Sequence, residues 1–253
     1  MKKILMKEEK PLITIQKTAN SRREFLKIGG LVVAGSSLLL YSCNDDDDDN
    51  SIVPPGEVFD LGSGDLGILN YAYALEQLEA AFYTQVLSGS YWIGADANEK
   101  QILEDLYNHE VIHREFFKVA ITAAAASANQ VLPTLEFNFS SVNFGDRASV
   151  LGTAKVLEDT GVAAYNGAGK LLADTNYLLL AGKIVSVEAR HASAIRDLIN
   201  PNSADFAGDD ILVDLQGTGK AYDKATPPAT ILAAVGATGF VTTEFTANNL
   251  PTS

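Results

Sequence analysis

Two segments of this chain share a pattern that leaves little freedom in how they can fold. Glu110-Val111-Ile112-His113 and Glu188-Ala189-Arg190-His191 each place a glutamate and a histidine three residues apart, and each follows a lone glutamate, Glu76 or Glu158, by 34 and 30 residues. Residues three apart on a helix lie on one face, one turn from each other, so each Glu-x-x-His pair directs a carboxylate and an imidazole to one point. The four glutamates fall within apolar stripes. Buried carboxylates are costly unless paired or metal-bound, so cations are expected between them. Two divalent ions would balance the four negative charges. The donor set is oxygen and nitrogen without thiolate, which suits iron or manganese better than structural zinc.

Helical periodicity supports this placement. Apolar residues recur at spacings of three and four over about Asp65 to Leu87 (Leu69, Ala72, Tyr73, Leu75, Leu78, Phe82), which predicts one helix with one continuous apolar face. Further helices are expected over about Ala97 to Ala128, Arg147 to Ala173 (with Asp146 as N-cap) and Asn176 to Leu198. The first and second, and the third and fourth, are joined by short links. A connection of roughly 18 residues carrying Pro133, Phe137, Phe139 and Phe144 separates the pairs. Two hairpins and one long crossover give an all-α four-helix bundle. After Pro201 the chain is rich in Gly, Asp and Thr. It is read as an irregular C-terminal extension over the bundle, with one short helix near Pro228 to Val235.

The halves repeat in more than their acids. Leu75-Glu76 and Leu157-Glu158 open matching stretches, and Tyr83 and Tyr165 each stand seven residues after the lone glutamate. Glu79, one turn beyond Glu76, is a rival for its place as ligand. The tyrosine spacing favours Glu76, because no acid stands three residues after Glu158.

These residues resemble the ferritin-like superfamily, and within it the bacterial ferritin-like domain family that includes plant desiccation-related proteins, over about residues 60 to 240. The resemblance implies a ferritin-like bundle in which Glu110 and Glu188 lie between two metals and Glu76 and Glu158 are terminal ligands. His113 and His191 would bind one ion each, with Tyr83 and Tyr165 beside the ligands.

Such a site suits an oxidoreductase, ferroxidase-like or peroxidase- or catalase-like, that oxidises Fe(II) or consumes dioxygen or peroxide. The alternative is a non-catalytic stress or desiccation-related surface protein that metal merely staples. A third reading takes His109-Glu110-Val111-Ile112-His113 as a zinc-protease motif. It leaves Glu76, Glu158, Glu188 and His191 unexplained and makes His109 more than the neighbouring or packing residue it otherwise is.

The N-terminus reads as an address. Ser21-Arg22-Arg23-Glu24-Phe25-Leu26-Lys27 resembles a twin-arginine export signal, and the apolar run from Ile28 to Leu40 falls short of the roughly 20 residues a spanning helix needs. Leu40-Tyr41-Ser42-Cys43 resembles a lipobox with Cys43 as the lipidated residue. A free thiol after an ordinary signal peptide would leave that position unexplained. Residues 1–42 are therefore expected to be removed, 43–58 to form an acidic, disordered tether around five consecutive aspartates, and 59–253 to form the ferritin-like domain. The acidic run also resembles a surface-export signal of bacterial lipoproteins. Without residues 1–42, which hold 8 of the 19 basic and 3 of the 32 acidic groups, 11 basic groups face 29 acidic ones, a net charge near −18. That excludes nucleic acid as a partner and leaves a lipid anchor as the only membrane attachment. A periplasmic or cell-surface lipoprotein is expected, with a homodimer among the candidate assemblies.

Overall fold

The computed structural model describes residues 58–252. The signal segment, Cys43 and nearly all of the acidic tether lie outside them.

Four long helices form the bundle. Helix α1 spans Gly64–Ser88. A one-turn helix α2 (Ser90–Gly94), not expected from the Gly/Ser-rich link, leads into α3 (Ala97–Ala124). The crossover contains a 3-10 turn at Ala128–Gln130, and α4 (Arg147–Gly169) and α5 (Thr175–Ile199) follow. Three of the four long helices begin at aspartates whose side chains cap free backbone N–H groups. Asp96 accepts from the backbone N–H groups of Asn98 and Glu99, Asp146 from that of Ser149, and Asp174 from that of Asn176. Helix α1 packs along α3 and α4 along α5, and the two hairpins meet mainly through α1 against α4 and α3 against α5.

Helices α3 and α5 are amphipathic in the expected way. The buried stripe of α3 runs Leu103, Leu106, Glu110, His113, Phe117 and Ile121, and that of α5 includes Ile184, Glu188, His191, Ile195 and Leu198. Helix α1 departs from expectation: every residue from 67 to 80 is buried, so it has no solvent face. A helix buried all round must satisfy its polar side chains internally. Asn70 does so by donating to the carbonyls of Leu61 and Gln130 and accepting from Leu132 N–H. Gln77 accepts from Leu135 N–H at 2.9 Å and donates to Pro133 O at 3.2 Å. Both residues thus fasten the crossover along α1. That hold explains why α3 stops at Ala124 and not Ala128, since the chain must leave the helix axis to reach Asn70.

The C-terminal extension covers the second hairpin. Thr226 N–H donates to Ala163 O at 2.9 Å, and a β-carbon on Gly167 would sit 1.8 Å from Thr226 O, so only glycine admits this crossing. Arg196 ion-pairs with Asp159 of α4 and Asp210 of the extension, at 2.6 Å each. Helix α6 (Pro228–Thr238) lies where a short helix was expected and buries Ile231 and Val235. Two small strand pairs were not expected. Strands β2 (Leu212–Asp214) and β3 (Lys220–Asp223) are antiparallel, and β1 (Phe59–Asp60) pairs in parallel with β4 (Phe245–Thr246).

Candidate metal centre

Six side chains from the four long helices converge inside the bundle. Glu76, Glu110, Glu158 and Glu188 are fully buried, with His191 3% and His113 9% exposed. Two sets form, each with its ligand atoms within 4.8 Å of one another: Glu76, Glu110, His113 and Glu188, and Glu110, Glu158, Glu188 and His191.

Glu110 and Glu188 belong to both sets and divide their oxygens between them. Nδ1 of His113 lies 3.0 Å from Oε1 of Glu188 and 3.6 Å from Oε2 of Glu110. Nδ1 of His191 lies 2.8 Å from Oε1 of Glu110 and 3.7 Å from Oε2 of Glu188. The lone glutamates complete the sets, with Glu76 Oε2 at 3.4 Å from His113 and Glu158 Oε2 at 3.3 Å from His191. The contacts lack hydrogen-bond geometry: the Nδ1 atoms, both oxygens of Glu110 and Glu188, and Oε2 of Glu76 and Glu158 have no hydrogen-bond partner. Native interiors seldom leave buried polar atoms unpartnered. Eight in one place, all aimed inward, fit cations of the kind that oxygen and imidazole donors hold.

The remaining oxygens of the lone glutamates are held by tyrosines, each from the opposite hairpin. Tyr83 donates to Oε1 of Glu158 at 2.5 Å, and Tyr165 donates to Oε1 of Glu76. Burial first, and then the facing Glu158 or Glu76, pushes both phenol pKa values well upward, so both remain O–H donors at neutral pH.

Crowded charge shapes the other ionisations. Burial raises Glu110 well above the usual carboxylate range, and neighbouring Glu188 adds to this. Burial also raises Glu158, against the pull of His191. Glu188 goes the other way, to about 2, because His113 and His191 outweigh its burial. Burial disfavours charge on both imidazoles, yet the carboxylates around them outweigh it and move both upward.

His109 lies outside both sets. It is exposed on α3, its ring stacks on that of His191 with centroids 5.2 Å apart, and its Nδ1 is 2.9 Å from Nε2 of His191. Glu79 also stands outside the sets, although it is 3% exposed and next to them. Three further contributors could have drawn notice in the sequence. Asn70 and Gln77 are amides within an apolar helical stretch, and Gly161 breaks the repeat where Glu79 has its counterpart.

No curated protein matches the chain. The family described as ferritin-like domain matches residues 64–201, which span all four long helices and all six converging residues. The chain belongs to the ferritin-like domain family.

Proposed function

We propose that the protein holds two ions of iron or manganese and uses them as an oxidoreductase that oxidises Fe(II) or consumes dioxygen or peroxide. One observation carries this reading: Glu110 and Glu188 each direct one oxygen to the His113 side and the other to the His191 side. A carboxylate split in this way suits two ions better than one. Bound iron or manganese would supply redox chemistry toward dioxygen or peroxide.

The chain's own residues set the terms of that chemistry. Glu110 and Glu188, which belong to both sets, would hold either ion, while Glu76 would serve the His113 side and Glu158 the His191 side. Tyr83 and Tyr165 fix the rotation of those two glutamates by occupying their outer oxygens. His109 faces Nε2 of His191 and so keeps Nδ1 turned to the centre. Because none of the six residues is more than 9% exposed, a small oxidant reaches the centre far more readily than a bulky organic substrate.

The test is metal analysis and turnover on one preparation. Wild-type protein should take up two ions per chain, and Glu110→Ala and His113→Ala should lose both stoichiometric binding and oxidation. Binding that survives in both variants would sink the assignment. The unpartnered buried carboxylates also favour a second reading, in which metal only staples the bundle in a stress or desiccation role. Loading that raises thermal stability without dioxygen or peroxide consumption decides for it.

We further propose export by the twin-arginine route and lipid attachment at Cys43, on the periplasmic or outer face. Among the described residues no helix is long and apolar enough to cross a membrane. Mass spectrometry of the membrane-extracted protein should find an acylated Cys43 at its N-terminus, and a Cys43→Ser variant should be released in soluble form.

A further inference from the structure

The repeat that relates the two hairpins fails at one buried position. Glu79 follows Glu76 by three residues, and the same offset from Glu158 falls on Gly161. These two positions face each other. A β-carbon on Gly161 would lie 3.1 Å from Oε1 of Glu79 and 3.5 Å from Oε2 of Glu188, so both oxygens border the small space that glycine leaves. Oε2 of Glu188 is the oxygen on the His191 side.

Among the described residues Glu79 has no hydrogen-bond or ion-pair partner that accounts for it. It is 3% exposed, and its Oε2 accepts no hydrogen bond. Beyond burial, what acts on it are the like charges of Glu188, Glu110, Glu158 and Glu76, all of which raise its pKa. An apolar side chain would suit a purely structural position better, because a buried carboxyl without a partner costs stability whether it stays charged or must take up a proton.

We propose that Glu79 is a seventh ligand of the centre, serving the ion on the His191 side, and that Gly161 is the opening that admits it. This rests on the two-ion reading above. Glu79 stands outside both four-residue sets, so it joins by rotation about its own side-chain bonds into that opening. The ion near His113 then has four protein ligands, and the ion near His191 has five: Glu79, Glu110, Glu158, Glu188 and His191. The two ions become unequal in donor number and in surrounding charge.

Calorimetric titration of the full chain with Mn(II), together with thermal unfolding of the metal-free form, tests this. Wild-type protein should bind two ions. Glu79→Gln should weaken one binding step by about tenfold or more, on the scale of lost ligand support, and leave the other unchanged. Its metal-free form should unfold at the same or a higher temperature, because a neutral amide replaces a carboxyl that must take up a proton to be buried there. Gly161→Ala keeps Glu79 but closes the opening, and should weaken the same step. Two unchanged steps in Glu79→Gln, or equal weakening of both, would overturn the proposal, as would a metal-free Glu79→Gln form that unfolds earlier. A wild-type chain that takes up fewer than two ions would instead overturn the two-ion reading, and the present one with it.

Discussion

The two hairpins carry one ligand pattern and differ in almost everything that surrounds it. At the residue after the lone glutamate, the first hairpin has Gln77, which holds the crossover, and the second has Asp159, which holds Arg196 and through it the C-terminal extension. Four residues before the converging histidine, the first has the exposed His109 and the second has Val187. Three residues after the lone glutamate, the first has Glu79 and the second Gly161. The six converging residues and the two tyrosines agree between the halves, and Glu79 against Gly161 is the exception among positions that border the centre. Positions that face the covering segments follow whichever segment lies over them.

The strongest way to break this comparison is to strip the cover from one side. Gly167→Ala puts a methyl group against Thr226 O, where 1.8 Å is available, so the extension must lift off α4. We expect a loss of about 3 kcal/mol or more in urea unfolding. Asn70→Ala, the counterpart under the crossover, leaves Leu132 N–H and two carbonyls unpaired and should cost about 1–3 kcal/mol.

A pH series separates the shared centre from its unlike covers. In the unfolded chain Glu79 and Glu110 titrate near 4.5 and His113 and His191 near 6.5, and folding moves all four upward. The folded, metal-free chain therefore holds more protons than the unfolded one above about pH 4.5, and stability falls as pH rises. Glu188 acts oppositely: its value of about 2 makes it lose stability only as pH falls from 4.5 toward 2. Melting temperatures of the metal-free protein should thus decline from pH 5 to 8. Metal-loaded protein should show the reverse slope, because cations bind proton-free ligands.

Smaller effects sharpen the likeness. Tyr83→Phe and Tyr165→Phe each remove the donor from a buried carboxylate, and each should cost about 1–3 kcal/mol in the unfolding of the metal-free chain. Unequal losses would show that the crossed clamps are not equivalent. His109→Ala should change stability least, since His109 is exposed. Its effect should appear as weaker binding of the ion near His191 in a Mn(II) titration, with partial recovery in His109→Gln.

Much of this architecture was legible in the sequence because ligand chemistry imposes fixed offsets. The three-residue step in Glu-x-x-His and the seven-residue step to tyrosine survive whatever else the helices do, and the apolar stripes of α3 and α5 follow the same rule. The total burial of α1 was not legible. It depends on a crossover that meets the helix some 60 residues away in sequence, Asn70 with Gln130 and Gln77 with Pro133. Gly167 reads only as a weak helix former, since nothing local reveals that Thr226 arrives from elsewhere, and Gly161 stands out only when the two halves are laid over each other. Strands of two to four residues such as β1 and β3 are too short to show a period of two.

The crossed tyrosines have a consequence for how the protein comes to be made. Tyr83 reaches Glu158 across 75 residues and Tyr165 reaches Glu76 across 89, so neither hairpin can assemble a clamped glutamate by itself. Both four-residue sets likewise draw on both hairpins, so the complete centre exists only once synthesis has passed the second hairpin and the two have docked.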